Sequence, residues 1–71
     1  MITRDYIVYL EDYSFSNFNK KLGEVHTLSL AKDYLMRIKD NYINRCIELY
    51  VKYKNSVIFS IDCLTGEVFE K

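Results

Sequence analysis

Along residues 45–71, RCIELYVKYKNSVIFSIDCLTGEVFEK, apolar and polar positions alternate with a period of two, the pattern of strands that bury one face. Ile47, Leu49, Val51 and Tyr53 share one side of a strand near 45–53, and Val57, Phe59, Ile61 and Cys63 share one side of a second near 57–63. With Lys54-Asn55-Ser56 as the connecting loop, Tyr53 faces Val57, Val51 faces Phe59, Leu49 faces Ile61 and Ile47 faces Cys63. Asp62 ahead of Leu64-Thr65-Gly66 marks a second turn, its carboxylate accepting local amide bonds and Gly66 supplying a positive φ. Val68 and Phe69 then open a closing strand near 67–70. The stretch predicts a three-stranded antiparallel meander.

Upstream the period lengthens. Leu28, Ala31, Leu35, Ile38 and Tyr42 recur at three- and four-residue steps with Lys32, Asp33, Met36, Arg37, Lys39 and Asp40 between them, predicting an amphipathic helix from about 28 to 42. Thr27 or Ser29 can cap its start, and Asn41 or Asn44 can end it in a left-handed conformation. Tyr6–Leu10, YIVYL, is bounded by charges on both sides and predicts a strand buried on both faces. Residues 13–26, YSFSNFNKKLGEVH, admit two readings. Phe15, Phe18 and Leu22, with Ser14 as cap and Gly23 as C′ residue, fit one or two helical turns; a wide loop leading to a short strand near Leu22–His26, paired with the first strand, fits as well. Together the elements predict an α+β fold, a two-layer domain of one amphipathic helix packed on a four-stranded, mainly antiparallel sheet, with residues 1–71 as a single domain.

Charge changes this picture little. Ten Lys and Arg balance ten Asp and Glu, but 27–54 carries six cations against three anions and 55–71 one against three. A surplus of three is weak for displacing phosphate counterions, which argues against nucleic acid as the main partner. Cys46 and Cys63 fall on opposite faces by strand parity, so they are expected to remain free thiols, in keeping with a reducing, cytoplasmic setting. No run approaches the eighteen apolar residues of a membrane span, so no membrane association is expected.

Chemistry is sparse. His26 is the only histidine, no CxxC or HxxxH is present, and neither a Gly-rich phosphate loop nor a nucleophile motif occurs. Glu11 with Asp12 and Glu67 with Glu70 read as solvated acids. The chain is therefore expected to be a non-enzyme without cofactor, metal or catalytic residues. One helix covers one side of the sheet, leaving Cys46, Glu48, Tyr50, Lys52 and Lys54, with Ile58, Ser60 and Asp62 opposite them, on the other. Tyr50, Lys52, Lys54 and Ile58 are the expected partner-binding residues there, an aromatic and aliphatic anchor flanked by cations. The helix stripe of Lys32, Met36, Arg37 and Lys39 offers a second area. The competing arrangement has Tyr13, Phe15 and Phe18 folding back across the open face and burying it.

The order of strand, wandering segment, helix opening TLSLAKDYL and closing meander ending IDCLTGEV resembles that of small phage-encoded accessory proteins, type I-F anti-CRISPR inhibitors among them. The resemblance spans roughly residues 6–70 and is one of topology, so it transfers no functional residue. It implies a compact non-enzymatic inhibitor that binds a host protein or protein complex, one serving defence or nucleic-acid processing, by occupying a site without a cofactor. Two other readings stand beside it. One is a homodimeric structural or regulatory module; the other is a weak RNA- or DNA-binding module reading phosphate with Arg37, Lys39, Lys52 and Lys54.

Overall fold

The computed structural model describes residues 3–14 and 18–71. Among these, five strands, β1 (Tyr6–Asp12), β2 (Phe18–Val25), β3 (Ile47–Tyr53), β4 (Ser56–Asp62) and β5 (Val68–Glu70), form one antiparallel sheet in the order β2-β1-β3-β4-β5. One helix, α1 (Leu28–Ile38), continues into a 3₁₀ turn over Lys39–Tyr42. The class is the α+β one expected, and the apolar YIVYL run is an interior strand between β2 and β3.

The four-stranded expectation is corrected to five. Residues 18–25 form a full edge strand rather than helical turns, longer than the Leu22–His26 segment that the strand reading allowed. Its composition conceals it: Asn19, Lys20 and Lys21 lie at an exposed sheet edge and present no apolar period. The register slips between Val8, opposite Gly23, and Tyr9, opposite Lys21. Leu22 is the extra residue of this bulge and turns onto the core.

α1 begins where expected. Thr27 has an extended backbone, and its hydroxyl oxygen accepts the Leu30 N–H at 3.1 Å. Ala31 and Leu35 are fully buried against Val8, Leu49 and Val51, while Leu28, Tyr34, Ile38 and Tyr42 pack around them. The helix lies chiefly over β1, β2 and β3. Lys32 reaches the far side, pairing with Glu70 of β5 and standing 5.3 Å from the Phe59 ring centroid. Asn44, at φ 62°, donates its N–H to the Cys63 carbonyl at 3.1 Å and so ties the exit of the helix to the end of β4.

The β3–β4 connection corrects one further expectation. Lys54 and Asn55, both with positive φ (49° and 67°), make a two-residue turn of the type I′ kind, and Ser56 belongs to the ladder opposite Tyr53. The residue released from the loop is absorbed by a bulge: Lys52 pairs with Val57 while Val51 pairs with Phe59. Leu49 therefore still meets Ile61, and Cys63 still meets Ile47 through a 2.9 Å backbone bond. Beyond the bulge the faces exchange, as a one-residue slip requires. Ile58, expected on the open face, is half-buried and packs on the core, and Val57, expected in the core, is exposed opposite Lys52. The β4–β5 turn follows expectation, with Asp62 accepting the Leu64 and Thr65 N–H groups and Gly66 at φ 82°.

Candidate functional site

The face of the sheet away from the helix is not an open platform. At its centre Tyr50 is only 5% exposed. Its ring stacks on Tyr9 across the β1–β3 ladder, centroids 5.3 Å apart and planes 16° from parallel, and Asn19 of β2 donates its side-chain N–H to the phenol oxygen at 2.5 Å. The Lys52 ammonium stands 5.5 Å from the Tyr9 centroid on the same side. Burial pushes the Tyr50 phenol upward from its usual titration range. Opposite it, Ser60 is buried as well. Tyr50 is a buried, stacked and hydrogen-bonded side chain of the sheet and not an exposed anchor.

Of the described residues in the expected fold-back, Tyr13 reaches the face and Phe18 does not. The Tyr13 hydroxyl donates to the Glu48 carboxylate at 3.1 Å, and burial, reinforced by that carboxylate, raises its pKa. Phe18 pairs with Asp12 and by alternation lies on the helix side with Lys20 and Leu10, while Phe15 lies outside the described residues. At the same end of the face Glu11, Glu48 and Asp62 stand directly opposite one another across β1, β3 and β4. Lys52 and the paired Lys21 and Glu24 occupy the other end. Among the described residues no group of three or more His, Cys, Asp or Glu side chains is arranged to hold a metal ion.

The remaining expected partner residues are dispersed. Lys54 sits in the β3–β4 turn, its ammonium 5.3 Å from the Tyr53 centroid. Arg37 points outward from α1, and Ile58 packs on the core. Lys39 borders a concave surface.

That surface is a groove of about 300 Å³ between the C-terminal half of α1, the Ile43–Asn44 turn and the β4–β5 hairpin. It exists because α1 covers β1–β3 and leaves the β4–β5 flank of the same face uncovered. Met36 (48% exposed), Ile43 (58%), Leu64 (51%) and Val68 (58%) converge on it, with Lys39, Asp40 and Asp62 at the rim. Cys63 lies on its floor, nearly buried, and that burial raises its thiol pKa. The Asp62 cap on Leu64 and the Asn44 bond to Cys63 fix the two walls. Of the apolar residues, Met36 was in the expected helix stripe; Ile43, Leu64 and Val68 were missed. The available signal was apolar side chains at turn positions, Ile43 beside Asn44 and Leu64 inside the Asp62–Gly66 turn, where polar residues are usual.

The two thiols are unpaired and contrasting, Cys46 exposed and Cys63 buried. Cys46 is expected to be alkylated rapidly in native protein, whereas Cys63 is expected to react only after denaturant is added, because both access and thiolate fraction are suppressed. Mass spectrometry of a timed alkylation checks this. Equal labelling of both cysteines would show that the groove floor is open.

Comparison with protein-family models, curated proteins and solved structures finds no match to this chain. Among the described residues no helix is long and apolar enough to cross a membrane.

Proposed function

We propose that this chain is a non-enzymatic protein-binding module that seats an apolar element of a partner protein in the groove between α1 and the β4–β5 hairpin. The resemblance to small phage inhibitors supplies the finer reading: the partner is a host defence or nucleic-acid-processing protein, and binding blocks a site on it. The observation that carries the proposal is the convergence of Met36, Ile43, Leu64 and Val68, about half exposed, on one concave surface of a small domain. Scattered exposed apolar residues are normal; a contiguous set with a polar rim marks an interaction site.

Magnitudes set what the groove can do alone. Burying the exposed half of each of these four side chains is worth about 1 kcal/mol apiece. Association costs about 4–15 kcal/mol before any surplus appears, so the partner must also engage the rim, where Lys39 and Asp40 offer one charge of each sign. The nucleic-acid reading gains no support from the open face, which carries Lys52 at one end and a row of three carboxylates, Glu11, Glu48 and Asp62, at the other.

The test is partner recovery from cells that express the protein, comparing wild type with Leu64→Glu and Met36→Glu. A partner recovered by wild type and by Arg37→Ala but lost from both groove variants is the expected result. A partner retained by both groove variants would place the binding surface elsewhere.

A further inference from the structure

We propose that β5 pairs edge to edge with β5 of a second copy of this chain, antiparallel, with Phe69 opposite Phe69 of the second copy across a twofold axis. The sheet has two edges, and they are built differently. β2 carries Asn19, Lys20, Lys21 and Glu24 and is bent by the Leu22 bulge, the usual means of guarding an edge. β5 exposes Val68 at 58% and Phe69 at 52% and has no bulge. β5 is the shorter of the two, but its edge carries two exposed apolar side chains and no bulge, and such an edge can template another strand.

The hydrogen-bond pattern restricts how a second copy can add. Asp62 donates to the Glu67 carbonyl at 2.8 Å and Lys71 donates to the Ile58 carbonyl at 3.0 Å. By alternation Phe69 also turns its N–H and C=O toward β4, so the main-chain groups of Val68 and Glu70 point outward. A symmetric antiparallel pair must use those two residues. Three registers satisfy that condition. Glu70 opposite Glu70 sets Phe69 against Lys71 and not against a second ring, and Val68 opposite Val68 sets Glu67 against Phe69 and Lys71 against Thr65 of the turn.

Val68 opposite Glu70 is the register in which every open-face pair is favourable. Phe69 then meets Phe69 in a non-hydrogen-bonded pair, where side chains approach most closely, and Glu67 meets Lys71 of the second copy twice over. On the helix face Val68 meets a Glu70 already neutralised by Lys32, so no free carboxylate is set against it. The charge pattern of the edge is thus complementary to itself, and the occupant it fits is another copy of the same chain. Strands of three residues keep the contact small, so the association is weak and concentration-dependent. Val68 belongs to both surfaces, but the pairing rests on the main-chain edge of β5 and does not depend on the function proposed above.

Sedimentation of the full chain from micromolar to millimolar concentration tests it. The weight-average mass is expected to rise from the 8.5 kDa of one chain toward twice that value. Glu67→Lys and Lys71→Glu are each expected to hold the protein monomeric, and the double swap E67K/K71E to restore the dimer. In a Cys46→Ser background, Phe69→Cys is expected to oxidise to a covalent dimer, because the twofold pair brings the two sulfurs within disulfide reach, and Val68→Cys, which meets Glu70 instead, is not. A wild type that stays monomeric throughout, a dimer indifferent to Glu67→Lys, or equal cross-linking at 68 and 69 would overturn the proposal. If either single charge variant fails to fold by circular dichroism, the contrast between the two cysteine variants decides.

Discussion

Leu35→Ala is expected to lower the unfolding free energy by about 2–5 kcal/mol. Leu35 is fully buried at the centre of the helix–sheet interface, and its removal leaves a void that the interior strands on the opposite wall, Val8, Leu49 and Val51, cannot close without shifting the ladder. A domain of this length holds roughly 4–11 kcal/mol in total, so the substitution takes a large share and leaves a substantial unfolded population at moderate temperature. Met36→Ala, one residue along but turned to the groove, is expected to change stability by less than about 0.5 kcal/mol. Urea titration followed by circular dichroism measures both. Similar losses for the two variants would mean that the helix presents a different face to the sheet.

The contrast between these neighbouring residues also explains how much of the fold the chain reveals. The helix was legible because a buried stripe and a solvated face differ in composition at a fixed period, and Leu28 to Tyr42 keep that period throughout. The meander was legible for the same reason at period two. β2 was hidden because an edge strand needs no apolar face of its own; Leu22 and Val25 are its main contributions to the core, and a bulge separates their spacing from simple alternation. The β3–β4 bulge was hidden in a subtler way. A three-residue loop without a bulge and a two-residue loop with one give the same partners from Val51 onward, so the pattern alone cannot choose between them. The difference surfaces at Val57 and Ile58, whose exchange removes Ile58 from the expected partner-binding face. The groove was the least legible feature, because it depends on how far α1 extends across the sheet, a matter of packing and not of period.

Tyr50 gives the second large effect, and it bears on how binding experiments on this protein are read. Tyr50→Ala is expected to cost about 3–5 kcal/mol, the range for removing a buried aromatic ring, because the Tyr9 stack and the Asn19 bond are lost together. Tyr50→Phe keeps the ring and loses the Asn19 bond alone, for about 1 kcal/mol. Had Tyr50 been an exposed anchor, both substitutions would leave stability nearly unchanged and only partner affinity would fall. Loss of a partner on Tyr50→Ala would therefore mimic a binding defect while reporting depletion of the folded state. Tyr50→Phe separates the two, since a folded variant that still binds shows that the phenol serves the sheet. Leu64→Glu supplies the converse, an exposed substitution in the β4–β5 turn that is expected to leave the urea midpoint close to wild type while binding is lost. Equal loss of stability from Leu64→Glu and Tyr50→Ala would show that the groove wall is part of the core, and the binding role proposed for it would fall with that result.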